Sequence, residues 1–535
     1  MKKRLLALMM AAVLTMGMSM TAFAEEGKTY SIKIEQVEGA TEKHTYEAYQ
    51  IFKGELATDN QTLSNIEWGE NINYSAGVTY KGVTYTEASA LAEALKEETD
   101  AKDFATAIAE YITGDPIKSA TETAVRSGVV IDELPDGYYF VKDKDESLVD
   151  DNDNDVHDSY SRYMIQIAGS NVTVTAKADV PSTEKKVKDK NDAEGTETEW
   201  QDSADYDIGD KVPFQFSSTI VDNIADYKNA YVYTFHDVES EGLTFNNDVT
   251  MTVGGKEYKD FKVVTKNSTT EPTTDGCTFE VITGDLRNVA QPGDEVVVNY
   301  TSTLNEKAVI GSVGNRNKMK LKYTNNPNGD GTGETPEDEV IVFTYKVVIN
   351  KVDENNKPLA GAEFTLFKKY TDGYKEVKKL SATPLDAEGN ELKVDKNGIA
   401  TDKDGNVKEI ASYTFSFKGL DDGQYKLKET TTPDGYNTMD PVEFKVVATH
   451  TNDDAGANAL KLTDLNGNPI TGSIDLGFTS NKEDGSLTAD VINKQGSLLP
   501  STGGIGTTIF YVIGGILVIG AGVILFTRKR MSVED

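Results

Sequence analysis

The sequence predicts an all-β protein of tandem immunoglobulin-like β-sandwiches, with a helical insertion in the N-terminal unit. Two observations carry this. Short alternating runs rich in Val, Thr, Tyr and Phe recur between Gly, Pro, Asn and Asp turns, among them "VPFQFSSTI", "AYVYTFHDV", "DEVVVNYTSTL" and "KMKLKYTN". In addition, "LPDGYYFVKD" (134–143) matches "LDDGQYKLKE" (420–429), and "AYQIFK" (48–53) matches "EFTLFK" (363–368), so two distant segments share one fold.

A chain of 535 residues is long enough for three or four domains once its ends are set aside. Residues 1–24 carry Lys2, Lys3 and Arg4, an apolar stretch and Ala22-Phe23-Ala24, the pattern of a secretory signal peptide. At the other end, residues 497–535 hold "LLPSTGG", an almost uncharged run from Ile505 to Phe526, and Arg528-Lys529-Arg530. That run is long enough to span a bilayer, with the basic cluster on the cytoplasmic side.

Three units remain. Residues 25–179 contain strands such as "YEAYQIFKGEL" and "GYYFVKD". They also contain the helical insertion, where Leu91, Leu95, Phe104, Ile108 and Ile112 recur at helical spacing until Gly114-Asp115-Pro116 stops them. Residues 180–337 open at Val180-Pro181 and close in the loop "NNPNGDGTGETPED". Residues 338–496 are again strand and turn.

Composition narrows the function classes. Removing both ends from the 54 basic and 88 acidic residues leaves 48 and 86, a net charge of −38. Nucleic acid is excluded as a partner, because phosphate binding needs a basic patch. Disorder is disfavoured by 25 Tyr and 19 Phe in alternating runs. The single cysteine, Cys277, permits no intrachain disulfide and reads as a small buried hydrophobe. His44, His157, His236 and His450 show no metal spacing, and no cofactor is expected. The loop with Asn326, Asn328, Asp330, Gly331 and Glu337 only approximates calcium-loop spacing, and "DDNDND" (150–155) lacks the glycine, so both read as solvated loops.

Side-chain parity picks out polar residues on apolar faces. In the third unit Lys351 follows Phe343, Tyr345, Val347 and Ile349, Glu429 follows Tyr425 and Leu427, and Asn493 follows Val491. Buried together, a lysine is driven toward its neutral amine and a glutamate toward its neutral acid. The amine can then attack the carboxamide while the acid polarises the carbonyl and shuttles protons, leaving an isopeptide bond and ammonia. Parity by itself favours the plainer reading, in which Lys351 snorkels, Glu429 caps a turn and Asn493 ends a strand. In the second unit Lys185 shares parity with Val187, Asp237 with Tyr231, Tyr233 and Phe235, and Asn325 with Met319, Leu321 and Tyr323. Lys186 is the alternative donor if its strand slips by one. The first unit lacks such a set: Ala176 stands where the asparagine would be, Lys33 faces away from Ile32 and Ile34, and Asp143 reads as an ordinary strand-end residue.

The segments "KVDENNKPLAGAEFTLF", "YKLKETTTPDGY" and "VINKQGSLLPSTGG" resemble the B-type domain of collagen adhesins (Cna-type) found in Gram-positive, sortase-assembled major pilins of the SpaA type. The second unit resembles the fimbrial D2-type domain. The resemblance implies cross-links Lys351–Asn493, with Glu429 as the acid, and Lys185–Asn325, with Asp237. Each would join the first and last strands of its unit and enclose about 140 residues, a loop that cross-linking would stabilise by roughly 5 kcal/mol on chain entropy.

"LPSTG" (Leu499, Pro500, Ser501, Thr502, Gly503), with the apolar span and basic tail behind it, matches a sortase signal. The resemblance implies attack by a sortase cysteine on the Thr502 carbonyl, release from Gly503 onward, and a thioester resolved by an amine. An amine of peptidoglycan gives a wall-anchored chain, and a lysine of another copy gives a polymer. Lys177, at the boundary of the first two units, resembles the pilin-motif lysine, although Thr175-Ala176-Lys177-Ala178 lacks the family's Tyr-Pro-Lys-Asn core. The expected function is therefore the backbone subunit of a covalent surface pilus supporting adhesion. Its expected partners are a pilin-specific sortase, other copies, peptidoglycan, minor pilins and host surface ligands. The alternative is a non-polymerised wall-anchored adhesin. No cluster for enzymatic turnover is present.

Overall fold

In the third unit Tyr345, Val347 and Ile349 are buried at every second position, as a half-buried strand requires. The same alternation runs through all ten residues of Glu295–Leu304 and of Asn315–Thr324. The computed structural model describes residues 28–36, 41–98, 101–148, 156–176, 179–273, 275–451, 460–472, 476–496 and 505–531. The signal peptide, Lys177, the "DDNDND" run and the "LPSTG" motif lie outside the described residues.

In the first unit, Tyr30–Glu35 lies between Val129–Leu134, antiparallel, and Val172–Thr175, parallel. A five-stranded sheet is built around Thr45–Leu56, Gly137–Asp143 and Arg162–Ile167. The helical insertion forms two short helices, Ala88–Ala94 and Lys102–Ile108, each followed by a 3₁₀ turn. Leu91, Phe104 and Ile108 are buried as their spacing predicts, whereas Leu95 and Ile112 are only half-buried because each follows the α-helical segment.

The second unit is a sandwich of larger sheets. One contains Thr183–Val187, Lys211–Thr219 and Glu295–Leu304 in that order. The facing one contains Ser203–Asp205, Asp338–Phe343, Asn315–Thr324, Tyr233–Glu239, Phe279–Thr283 and Phe261–Thr265. Asp338–Phe343 is thus hydrogen-bonded into the second unit, and the chain enters the third only past Thr344, not at 337/338 as the sequence suggested. Val340 and Val342 point into the second core and Ile341 and Phe343 into the third, so one strand serves both through its two faces.

In the third unit one sheet runs Thr383–Leu385, Ser412–Leu420, Tyr345–Asp353, Ser486–Asn493 and Thr479–Asn481. The other runs Gly373–Ser381, Glu363–Tyr370, Gly423–Thr431, Val442–His450 and Leu462–Thr471. First and last strands pair in parallel, Lys351 opposite Val491 and Asp353 opposite Asn493.

The second and third units are locked by polar contacts. Lys368 Nζ donates to Asp192, Asp207 and Asp421 at 2.7, 2.6 and 2.9 Å, and Tyr345 donates to Asp205 at 2.7 Å. Gly311 adopts φ +91°, and a side chain there would collide with the Glu483 carbonyl of the third unit, so close approach and backbone conformation both demand glycine. The helix Ile505–Met531 is long and apolar enough over Phe510–Arg528 to cross a membrane.

Candidate functional site

The third-unit residues singled out by parity converge. Lys351 and Asn493 lie on the paired first and last strands of one sheet, and Glu429 reaches them from the opposing sheet. All three are buried. Asn493 Nδ2 donates to Glu429 Oε1 at 2.7 Å, and the Met439 backbone N–H holds Oε2 at 2.8 Å. The Lys351 ammonium donates to the carbonyls of Val352 and Val491 at 3.1 and 3.0 Å, and Asn493 Oδ1 is buried without a hydrogen-bond partner among the described residues. Burial lowers the Lys351 pKa to about 8, although the charge of Glu429 opposes this.

The second-unit set forms with one substitution. Lys185, from Thr183–Val187, crosses the sandwich to Asp237 Oδ2 and donates to the Tyr300 hydroxyl at 2.9 Å. Tyr300 donates to the same Asp237 oxygen at 2.8 Å. The Lys185 Nζ sits 4.4 Å from the Phe216 ring centroid and 5.5 Å from that of Phe214, with no solvent exposure. Burial pushes the lysine down and the aspartate up, so both tend toward their neutral forms. Lys186 instead pairs with Asp202 at 2.7 Å, on the opposite face.

Asn325 is not brought to this pair. Met319 is opposite Asp237, and Asn325 lies six residues beyond it, about 20 Å along a strand. There it packs at the junction with the first unit: its Nδ2 donates to the Asp158 carbonyl at 3.3 Å, and Tyr160 donates to its carbonyl at 2.9 Å. The asparagine beside Lys185 and Asp237 is Asn317, fully buried, whose Nδ2 donates to Tyr300 at 3.0 Å and whose Oδ1 has no hydrogen-bond partner among the described residues. Its signal was present in the sequence, since Asn317 shares parity with Met319 and Leu321. What parity lacks is the register that places one inward asparagine opposite the acid strand. Register also places Glu239 opposite Asn317, and burial, then the charge of Asp237, raises its pKa to about 8.

In the first unit, Ala176 is buried at the end of its strand and Lys33 is exposed beside Glu35. Asp143, at the position matching Glu429, is more than a strand-end residue. It is fully buried, pairs with His44 Nδ1 at 2.8 Å and accepts from the Ser161 backbone at 2.6 Å. Burial opposes a charge on His44, but Asp143 and Asp158 outweigh it and push its pKa up to about 10. The near-calcium loop is internally tied, with Asn326 donating to the Asp330 carbonyl at 3.1 Å while Glu337 pairs with Lys318 at 3.0 Å.

Comparison with known proteins agrees with this architecture. Residues 208–327 match the Gram-positive pilin backbone subunit 2, Cna-B-like domain. Residues 345–459 match the SpaA prealbumin-like fold domain, and 492–532 match the LPXTG cell wall anchor motif. The trypsin-resistant surface T6 protein of Streptococcus pyogenes serotype M6 is 25% identical over 97% of this chain and 98% of its own. Among solved structures, the T6 backbone pilin of that organism aligns over 88% of this chain and 99% of its own, at 19% identity and a TM-score of 0.48. The full-length major pilin SpaD of Corynebacterium diphtheriae covers 88% and 98%, at 16% identity and a TM-score of 0.44. The chain thus carries SpaA-type and Gram-positive pilin backbone domains and an LPXTG anchor motif, and is homologous to the T6 backbone pilin. It is a structural subunit of a surface pilus, carrying an LPXTG cell wall anchor.

Two pH dependences follow. In an Asn493→Ala chain, which cannot use Lys351 in a bond, the folded lysine releases its proton near 8 and the unfolded one near 10.4. The unfolded state binds more protons between those values, so the denaturation midpoint of the third unit should rise as pH increases across that window. For His44 the sign is reversed. Its contribution is fully present below the unfolded value of about 6.5 and is lost as pH rises through about 10. His44→Ala, which leaves Asp143 buried and unpaired, should cost the first unit about 3 kcal/mol at pH 6 by chemical denaturation, and distinctly less at pH 10.

Proposed function

We propose that this pilin is polymerised by a sortase into a covalent shaft, and that its second and third units seal themselves with isopeptide bonds, Lys185–Asn317 and Lys351–Asn493. The observation that carries the sealing is that both lysines are buried beside a carboxyl group and an inward asparagine. In each unit the neutral amine attacks the asparagine Cγ, the acid (Asp237 or Glu429) protonates the developing oxyanion, and ammonia leaves with the proton the amine gives up. This happens once per site and is not turnover. Tyr300 holds Lys185, Asp237 and Asn317 on one hydroxyl, a positioning role in the second unit.

The bonds would enclose 132 and 142 residues, each worth roughly 5 kcal/mol by chain entropy. In the third unit the mechanical effect is larger in kind, because tension entering the first strand leaves the last through a covalent bond before it loads the hydrogen-bonded sheets, whereas in the second the strand Asp338–Phe343 lies beyond the bond. Units divided near residues 179 and 344 would form three links of such a shaft. Sortase cleavage between Thr502 and Gly503, resolved by Lys177 of the next copy, would join chains head to tail, and peptidoglycan would resolve the last. Adhesion then follows from the shaft's reach, with minor pilins and host ligands as further partners.

Intact mass of the mature ectodomain should fall short of the sequence mass by about 34 Da, one ammonia per bond. Asn317→Ala should leave a deficit of about 17 Da beyond the substitution itself, whereas Asn325→Ala should keep both losses. A full deficit in Asn317→Ala would return the second bond to another asparagine. On cell-wall extracts, Lys177→Ala should collapse the high-mass ladder to monomer, and a persisting ladder would move the polymerising lysine elsewhere.

A further inference from the structure

Asp237 faces the second core, so its neighbour His236 faces the outside of the same sheet, yet His236 is buried. It is covered by the segment that leads into Phe279–Thr283. Three other potential metal ligands meet it there. Glu280 sits directly opposite His236 in the antiparallel register. Asp275 and Cys277 come from the covering segment, whose shape is fixed by Cys277 N–H donating to Asp275 Oδ1 at 3.0 Å and Thr273 Oγ1 donating to the Cys277 carbonyl at 2.9 Å.

The distances bracket those within a coordination shell. His236 Nδ1 lies 2.9 Å from Asp275 Oδ2, 3.4 Å from Glu280 Oε1 and 4.0 Å from Cys277 Sγ. Cys277 Sγ lies 3.9 Å from Glu280 Oε1, and the four ligand atoms are all within 4.8 Å of one another. Ligands held about 2.0–2.3 Å from a tetrahedral zinc ion stand roughly 3.3–3.7 Å apart, so small adjustments would close the shell.

Hydrogen bonding accounts for part of the cluster, the Cys277 thiol donating to the Phe279 carbonyl at 3.4 Å. His236 Nδ1 can offer one proton to two carboxylates and a sulfur. Its other nitrogen, Nε2, is buried without a hydrogen-bond partner among the described residues. His236, Cys277 and Glu280 are buried, whereas Asp275 is about one third exposed and gives an ion a way in.

We infer that His236, Asp275, Cys277 and Glu280 form a binding site for a borderline divalent transition metal of the zinc type. Imidazole and thiolate select such an ion over calcium or magnesium, which prefer all-oxygen shells. When the metal binds, it replaces the Cys277 thiol proton, which leaves to solvent. Lys320, close enough to Asp275 to interact electrostatically, offsets the negative charge of two carboxylates and a thiolate around one dication. Bound there, the ion ties the covering segment to the strand that carries Asp237 on its other face, giving this single-cysteine export protein a staple.

The test uses the full-length mature chain in detergent, stripped with a chelator and titrated with Co²⁺ alone. Saturation at one ion per chain, with tetrahedral visible bands and a thiolate-to-cobalt charge-transfer band, is expected. Cys277 is the chain's only cysteine, so that band reports this site. Zn²⁺ should displace it. Cys277→Ser should remove the charge-transfer band, and Asp275→Asn, on the solvent side, should weaken Co²⁺ binding by about tenfold or more while the fold is kept by circular dichroism. Failure of the folded wild-type chain to take up Co²⁺ stoichiometrically, uptake without the thiolate band, or unchanged affinity in Asp275→Asn would each overturn the site.

Discussion

Two lysines held where water cannot reach them set the terms for the second and third units. An ammonium buried alone in a sandwich core is prohibitively costly, and a carboxylate beside it recovers the cost only in part. The alternative is for both groups to become neutral, and the shifts of Lys185, Asp237 and Lys351 run that way. The packing enforces it. Lys185 ends against Phe216 and Phe214 with Tyr300 over the acid, and Lys351 ends against backbone carbonyls. The burial that makes these groups a liability as charges also makes a neutral amine available for reaction.

The two sites reach the same chemistry from different sides of a sandwich. In the third unit the lysine and the asparagine are on adjacent parallel strands, and the acid descends from the other sheet. In the second unit the acid and Asn317 are on adjacent strands, and the lysine crosses the core. The proposed bond is therefore within one sheet in the third unit and between sheets in the second. The first unit keeps the acid position with Asp143 but fills the site with His44, whose paired charge replaces a reaction with an ion pair.

Between units the solution is ionic. Burial works against the charge of Lys368, but Tyr425 and the aspartates facing it more than offset that and hold its pKa far above the ordinary lysine range. A cation with three carboxylates from two units ties those units together, and the shared strand Asp338–Phe343 adds a continuous backbone connection.

Most of the fold was legible in the sequence because a strand's period is two and each run declares its buried face. Lys351, Glu429 and Asn493 were legible for the same reason, each sitting at the end of an apolar parity series in a strand of known neighbours. Parity was silent about which inward asparagine lies beside Lys185 and Asp237, since Asn315, Asn317 and Asn325 share one face of one strand and its continuation. Parity also placed His236 on the outward side, and nothing local tells that a segment some forty residues later covers it with Asp275 and Cys277. The sequence by itself determined the all-β architecture, the anchoring signal and the buried lysines, because those depend on local period and composition. Only the tertiary structure decided that Asn317 meets Lys185, that Asp143 meets His44 and that the cysteine meets a histidine, because strand register and sheet stacking are set by the packing of distant segments.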